Sequence, residues 1–209
     1  MINQGKQPPV PQVSTGVGEA VMRKAQESAN TSLAFFGANM DVIERLAAAM
    51  AARFEKGGRL FVMGNGGSSC DAEHVAVEFM HPILEKRSPL PCQSLSTGSA
   101  LLSAISNDAD FSRVYGAQLV NLARPEDMAL AISTSGKSAN LIHALQEAKR
   151  IGLMTIAFAG KDGGRLKDAA HWCLVVPSYS IHRIQETHVI LLHILWDIIH
   201  VVRGEEDIV

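Results

Sequence analysis

The chain has few cysteines, few aromatic residues and few charges for its 209 residues. Its three cysteines are Cys70, Cys92 and Cys173, and no two of them stand at the C-x-x-C spacing of a redox or zinc motif. An odd number of cysteines in a chain of this size indicates reduced thiols rather than a disulfide scaffold. We therefore expect a cytoplasmic protein.

Long apolar runs and basic runs are also missing. The longest apolar stretch, residues 189–202, is shorter than the roughly 20 residues of a spanning helix and is interrupted by His193, Asp197 and His200. Residues 1–11 do not have the pattern of a secretory signal. The formal net charge is −2, and no basic stripe could neutralise a nucleic-acid backbone. We expect neither a membrane partner nor a nucleic-acid partner.

Apolar residues, in contrast, make up 47% of the chain, and many of them stand in short continuous runs. Such runs are typical of strands buried on both faces, and helical segments between them predict a parallel α/β sheet. The predicted strands are residues 59–63, 91–95, 128–132, 154–158 and 172–176.

Helical periodicity predicts two helices before the first strand, over residues 17–36 and 40–54, separated at Gly37. A helix follows the first strand to about residue 84, another reaches residue 151, and the last spans about residues 181–203. Residues 1–14, rich in proline and glycine, are expected to be a flexible arm. Residues 15–209 are expected to form one domain.

Two polar loops follow predicted strands, and ligands of parallel sheets bind beyond the carboxyl ends of the strands. The first, which we call the glycine loop, is Gly-Asn-Gly-Gly-Ser at residues 64–68. Glycines let a ligand approach the backbone, and the following helix offers free N–H groups. The loop is neither a P-loop nor a dinucleotide fingerprint, and a tight turn without a ligand would have the same composition.

The second loop, which we call the serine loop, is Ser-Thr-Ser-Gly-Lys-Ser at residues 133–138. A helix N-cap needs one hydroxyl, whereas this loop has four. Hydroxyls donate to phosphate oxygens, and a helix N-terminus adds N–H groups and a favourable dipole. Because no magnesium-binding motif accompanies the loop, it indicates a phosphorylated small molecule rather than a nucleotide.

Two helices carry candidate acid–base or metal-binding residues. His74 and Glu78 are four residues apart, on one face of the helix after the glycine loop, although a solvated ion pair would have the same spacing. The last helix carries Gln185 and His193 among apolar neighbours, where a core histidine is the alternative. Along a straight helix Gln185 and His193 are about 12 Å apart and about 80° apart around the axis. We expect His74 and Glu78 to reach them from a helix packed across this gap, in the same or a neighbouring subunit.

Taken together, the motifs resemble those of the phosphoheptose isomerases, which are sugar isomerase (SIS) domain proteins. The resemblance covers about residues 17–201. It begins with the glycine loop and the Asp-Ala-Glu-His sequence of residues 71–74, followed by Glu78. Asn107-Asp108, the serine loop, residues 155–164 and residues 183–188 match later signatures in order.

The resemblance implies a flavodoxin-like three-layer sandwich, with a five-stranded parallel sheet flanked by helices and extra N-terminal helices. It also implies a homotetramer that converts D-sedoheptulose 7-phosphate to D-glycero-D-manno-heptose 7-phosphate, the first step of ADP-heptose biosynthesis. Residues at the family's phosphate-binding positions are Ser133, Thr134, Ser135 and Ser138. Those at its sugar-binding positions are Asn65, Gly66, Gly67, Glu78, Asn107, Asp108 and Gln185.

His74, Glu78, Gln185 and His193 match the positions that bind Zn²⁺ in metal-containing members. Glu78 and His193 match the acid–base pair. Aldose–ketose exchange moves a proton between C1 and C2 through an enediol, which needs a base at carbon and an acid at oxygen. A carboxylate and an imidazole supply both, and zinc could polarise the carbonyl. Glutamine is an unusual zinc ligand.

Some residues depart from the family pattern. They are Phe79-Met80-His81-Pro82 after Glu78, Ala109-Asp110-Phe111 after Asp108, and His182, where some members have aspartate. They leave the exact sugar open, so another sugar phosphate is one alternative. A second is a non-catalytic scaffold that binds the replication initiator, but that branch typically alters the position of Gly66 and Gly67 and loses the His–Glu pair. A third is a module that senses a sugar phosphate without turnover.

Overall fold

The computed structural model describes residues 16–83 and 87–207. Its strands are β1 Leu60–Gly64, β2 Cys92–Ser94, β3 Met128–Ser133, β4 Met154–Gly160 and β5 Trp172–Val176. They form one sheet in the order β2-β1-β3-β4-β5, and every neighbouring pair is parallel. The predicted α/β class, the five parallel strands and the flavodoxin-like order are confirmed.

Helices cover both faces of the sheet. In the described ranges they are α1 Val17–Glu55, α2 Gly67–Met80, α3 Ser99–Asp108, α4 Gly116–Leu122, α5 Ala139–Ile151, α6 Leu166–Ala169 and α7 Ile181–Val202, with a 3-10 turn at Phe111–Arg113. Successive strand residues point to opposite faces, so β1 sends Leu60 and Val62 into a core shared with α1, α2 and α7. Phe61 and Met63 enter the second core, with α4, α5 and α6. Burial on both faces explains the continuous apolar runs.

The N-terminal helix differs from its prediction. One helix of 39 residues, α1, replaces the two predicted helices, and Gly37 lies exposed within it. A mid-helix glycine costs only about 1 kcal/mol relative to alanine. Phe35, Leu46 and Met50, on both sides of Gly37, lie within about 60° of one another around the helix and are buried in the core shared with α7. This continuous apolar face outweighs the cost of the glycine, and the helix ends instead at Glu55, two residues before Gly57, where φ is +80°.

Other boundaries differ by less. α2 ends at Met80 rather than near residue 84, because the backbone of His81, which precedes Pro82, is no longer helical, with φ −136° and ψ 71°. Residue 84 and the predicted flexible arm at residues 1–14 lie outside the described residues. β5 and the start of α7 lie where they were predicted. None of the described helices combines the length and apolarity that crossing a membrane requires.

Candidate active site

The sheet order brings the two polar loops together. β1 and β3 are neighbours, with Gly64 opposite Ile132, so the glycine loop and the serine loop leave the same edge of the sheet side by side. A pair of side-chain amides also joins them: Asn65 Nδ2 donates to Asn140 Oδ1 at 2.9 Å, and Asn140 Nδ2 donates to Asn65 Oδ1 at 2.8 Å. The two loops therefore form one surface.

The glycine loop is a tight strand-to-helix turn. A side chain on Gly64 would collide with the backbone of Ser68, since its Cβ would stand 2.2 Å from the Ser68 carbonyl oxygen. Gly66 has φ +56°, a conformation that favours glycine. A Cβ on Gly67 would stand 2.5 Å from Gln185 Nε2. The loop thus exposes backbone next to Gln185 of α7.

The serine loop gathers three of its hydroxyls around one point. Ser133 Oγ lies 3.5 Å from Ser135 Oγ and 3.4 Å from Ser138 Oγ. Ser133 Oγ and Ser135 Oγ also accept hydrogen bonds from the backbone N–H groups of Gly136 and Lys137, both at 3.2 Å. Three convergent hydroxyls at the start of α5, which has 13 residues, can donate to an anion. Thr134 lies in the same loop, half-buried.

The segment that follows β4, residues 161–165, packs against the serine loop. Gly136 has φ +64°, and a Cβ there would stand 2.1 Å from the carbonyl oxygen of Gly163. Leu166 N–H donates to the carbonyl of Gly136 at 3.1 Å. The backbone after β4 therefore packs directly against the serine loop.

The acid–base candidates meet where α2 crosses α7. His74 Nε2 lies 3.2 Å from Glu78 Oε1 and 3.3 Å from His193 Nε2. One potential ligand atom from each of the three residues lies within 4.8 Å of those from the other two, and all three side chains are half-buried. Two imidazoles and a carboxylate in this arrangement could hold a divalent cation. Both helices belong to one chain, so the neighbouring-subunit alternative for His74 and Glu78 is wrong.

One half-buried carboxylate, that of Asp71, lies about one turn before His74 on α2. Burial raises the pKa of Asp71, and the charge of a protonated His74 opposes this rise. Its Oδ2 has no hydrogen-bond partner among the described residues. The carboxylate adds negative charge near the His74 imidazole.

Comparison with known proteins places this arrangement in a family. Residues 25–160 match the SIS domain family. A phosphoheptose isomerase of Aquifex aeolicus is 38% identical over 87% of this chain and 95% of its own, and one of Thermodesulfovibrio yellowstonii is 40% identical over 87% and 90%. The chain belongs to the phosphoheptose isomerase family. A solved phosphoheptose isomerase structure from Francisella tularensis has a TM-score of 0.84 and 32% identity, covering 90% of this chain and 99% of that one.

Two of the predicted sugar-binding residues lie at the end of α3. Asn107 and Asp108 end α3, are exposed, and are joined by a bond from Asn107 Nδ2 to Asp108 Oδ1 at 2.8 Å. In the described part of the chain neither makes a hydrogen bond to the glycine loop or the serine loop. Their contact with a sugar stays a prediction.

Residues 183–188 at the start of α7, which match a family signature, also connect α7 to α1 and to β4. Arg183 Nη2 donates to Glu186 Oε1 at 2.6 Å, and Ser28 Oγ of α1 donates to Glu186 Oε2 at 2.7 Å. His188 is fully buried, and its Nε2 lies 3.2 Å from the carbonyl oxygen of Ala159 at the end of β4. These contacts fix the position of α7, and with it Gln185 and His193.

Sequence reasoning missed two residues behind the loops. Asn140 is buried and forms the amide pair with Asn65. Tyr115 is also buried; its hydroxyl donates to the Gly64 carbonyl and lies 3.3 Å from Ser96 Oγ. Asn140, two residues after the serine loop, is a polar residue in the first turn of a helix. That is a weak signal, whereas nothing near Tyr115 in the sequence indicates a role.

Proposed function

We propose that this protein is an aldose–ketose isomerase that converts D-sedoheptulose 7-phosphate to D-glycero-D-manno-heptose 7-phosphate. This reaction is the first step of ADP-heptose biosynthesis, which supplies lipopolysaccharide. One observation carries the proposal: a carboxylate and an imidazole, Glu78 and His193, meet with His74 within 4.8 Å, on the two helices that also carry the end of the glycine loop and Gln185. The family relationship to phosphoheptose isomerases supports the choice of substrate.

In this mechanism the serine loop holds the phosphate through the hydroxyls of Ser133, Thr134, Ser135 and Ser138. The sugar lies along Asn65, Gly66, Gly67 and Gln185, and Asn107 and Asp108 approach its hydroxyls. Glu78 takes the proton from the carbon next to the carbonyl and returns it to the neighbouring carbon. His193 exchanges a proton with the substrate oxygens, so that an enediol forms and collapses to the other sugar. Proton transfers by positioned groups contribute about 10²–10⁴-fold each.

The His74–Glu78–His193 cluster fits Zn²⁺, because two imidazole nitrogens and a carboxylate oxygen converge on one point. Gln185 would supply a fourth, weaker donor from the glycine-loop side. When bound, zinc polarises a carbonyl oxygen as a Lewis acid. Holding an ion with the Glu78 oxygen that faces His74 would leave the second carboxylate oxygen for the proton transfer.

We also propose that the enzyme is a cytoplasmic homotetramer built from residues 15–209 as one domain. Apolar side chains that are exposed on α1, namely Val21, Met22, Leu33 and Met40, support an assembly. A groove of about 340 Å³ continues this surface between α1 and α7, lined by Phe36, Met40, Ile43, Glu44, Ile194 and Ile198. The three free cysteines support a reducing compartment.

The test is an isomerase assay with purified protein and a panel of heptose, hexose and pentose phosphates. We expect conversion of sedoheptulose 7-phosphate, with kcat/KM at least about tenfold above that for the hexose and pentose phosphates. A higher value for another sugar phosphate would change the substrate and keep the reaction. Binding of sugar phosphates without turnover would favour the sensing module. Binding of the replication initiator with neither activity would favour the scaffold.

A further inference from the structure

One buried side chain links the two loops of the candidate site. Asn140 lies in the first turn of α5, two residues after the serine loop, and 2% of its surface is exposed. It forms the reciprocal amide pair with Asn65 of the glycine loop, 75 residues earlier in the chain. The N–H of Leu141 donates to Asn140 Oδ1 at 3.0 Å. A single side chain thus connects the start of α5, after the serine loop, with the glycine loop.

The hydrogen bonds determine the orientation of the Asn65 side-chain amide, that is, on which side its oxygen and its nitrogen lie. Only an oxygen can accept from the Leu141 N–H, so Asn140 Oδ1 is on that side and Asn140 Nδ2 faces Asn65 Oδ1. The Tyr115 hydroxyl lies 3.4 Å from the same Asn65 oxygen. An amide nitrogen carries two hydrogens, and Asn65 Nδ2 uses one of them for Asn140. What Asn65 keeps for a ligand is therefore one N–H donor, while its oxygen accepts a hydrogen bond from Asn140.

We propose that Asn140 is a positioning residue of the isomerase. It holds the Asn65 amide so that the remaining N–H donates to an oxygen of the sugar, and it ties this donor to the phosphate-binding end. The inference rests on the proposed function, since it needs a sugar phosphate that spans both loops. Asn140 itself acts through Asn65: its Nδ2 donates to Asn65, and its Oδ1 accepts from Asn65 and from the N–H of Leu141.

A positioning role has a signature that separates it from a general structural role. If Asn140 acts only through Asn65, its loss costs nothing further once Asn65 is gone. Inorganic phosphate, which would occupy the serine loop without reaching Asn65, should bind equally well with and without the Asn140 amide.

The experiment is a double-mutant cycle with Asn65→Ala, Asn140→Ala and the double variant, read by kcat/KM for the sugar phosphate, by competitive inhibition by inorganic phosphate, and by thermal unfolding. We expect Asn140→Ala to lower kcat/KM by about tenfold or more, as loss of a buried hydrogen-bond partner does. Its inhibition constant for phosphate should change less than about twofold. The double variant should match Asn65→Ala within about twofold.

Two further variants keep the test decisive. Asn121→Ala is the matched control, because Asn121 is exposed on α4 and its amide, among the described residues, donates only to the Ala117 carbonyl of its own helix. The kcat/KM of this variant should equal that of the wild type. Asn140→Asp retains the acceptor for Leu141 N–H and loses the donor to Asn65. It replaces Asn140→Ala in the cycle if the alanine variant does not fold.

Equal losses from Asn140→Ala in the wild-type and Asn65→Ala backgrounds would overturn the inference. So would a weakening of phosphate inhibition as large as the loss in kcat/KM, since Asn140 would then be shaping the serine loop. An active wild type with an unaffected Asn140→Ala variant would refute this inference alone. A wild type inactive on every sugar phosphate would refute the proposed function first.

Discussion

His74 Nε2 lies 3.3 Å from His193 Nε2, although 119 residues separate the two in the chain. Their rings meet nearly edge to face, with centroids 4.9 Å apart. Two facing imidazole nitrogens either share one proton or direct both lone pairs at a cation. With the Glu78 carboxylate 3.2 Å from His74, the second arrangement leads to the first prediction.

Removing metal should inactivate the enzyme. Polarisation of a carbonyl by a metal is worth several kcal/mol, so we expect a chelator to lower kcat by about a hundredfold or more, and added Zn²⁺ to restore it. Elemental analysis should find about one equivalent of metal per chain in the wild type and little in His74→Ala. His143→Gln, on α5 outside the cluster, should keep its metal. Full activity in metal-free protein would contradict the prediction.

Glu78→Gln should lower kcat by at least about a hundredfold, because it keeps the side-chain shape and removes the base. Exchange of the substrate C–H proton with deuterated water should slow by the same factor. Glu73→Gln, an exposed glutamate on the same helix, is the control and should be close to wild type. Near-normal exchange in Glu78→Gln would assign the proton transfer to another group.

Mixing inactive variants should not restore activity. Glu78 and His193 meet within one chain, so every subunit of a mixed Glu78→Gln and His193→Ala assembly lacks one of the two. Mass spectrometry of tagged subunits would establish that exchange has occurred. Recovery of a substantial fraction of activity after proven exchange would mean that the catalytic pair is assembled from two chains in solution.

Ser135→Ala should raise KM for the sugar phosphate by about tenfold or more, because a hydrogen bond to a charged group contributes about 1.5–3 kcal/mol. The effect on kcat should be smaller. Thr31→Ala is the control: in the described part of the chain, the hydroxyl it removes from α1 bonds only to the Glu27 carbonyl. An unchanged KM in Ser135→Ala would argue against a phosphate at the serine loop.

Acid should destabilise the fold through His188. Burial lowers the pKa of its imidazole to about 4, while the hydrogen bond to Ala159 opposes this shift. The unfolded chain takes up the proton below its ordinary pKa of about 6.5, and the native state does not until about pH 4. The free energy of unfolding therefore falls as pH drops from about 6.5 towards 4, and the loss from this group is about 2 kcal/mol at pH 5.

His188→Gln can preserve a donor to the Ala159 carbonyl and does not titrate, so its unfolding free energy should depend less steeply on pH in this window. Burial also lowers the pKa of His200, so that residue contributes to the pH dependence in both proteins. The measurement is therefore the difference between wild type and His188→Gln in the slope of unfolding free energy against pH. His182→Gln, at an exposed histidine, should keep the wild-type slope. Equal slopes in wild type and His188→Gln would show that His188 is not the responsible group.

The sequence was sufficient for features that depend on local pattern. The continuous apolar runs predicted the strands of the sheet. The polar loops that follow two of these runs were predicted to lie at the carboxyl ends of the strands, where the structure has them. The family resemblance supplied Gln185 and His193 as partners for the His74–Glu78 pair, and the structure brings His74, Glu78 and His193 together.

Features that depend on contacts between distant segments were not predictable in this way. Gly37 is a helix stop by its local propensity, and only the packing of α1 on α7 overrides it. The Asn65–Asn140 pair joins residues 75 positions apart, and neither residue has a sequence pattern that names its partner. The end of α2, in contrast, was missed although its cause, the backbone restriction before Pro82, is local.

The contact between Gly136 and Gly163 limits how this enzyme can be redesigned. Because a Cβ on Gly136 would stand 2.1 Å from the Gly163 carbonyl, the serine loop has its shape only while the segment after β4 keeps its path. Transplanting residues 133–138 into another scaffold would transfer the hydroxyls without the segment after β4 that packs against the loop and holds its conformation. Insertions or deletions in residues 161–165 would distort the loop 27 residues earlier in the chain, so the two segments have to be exchanged as one unit.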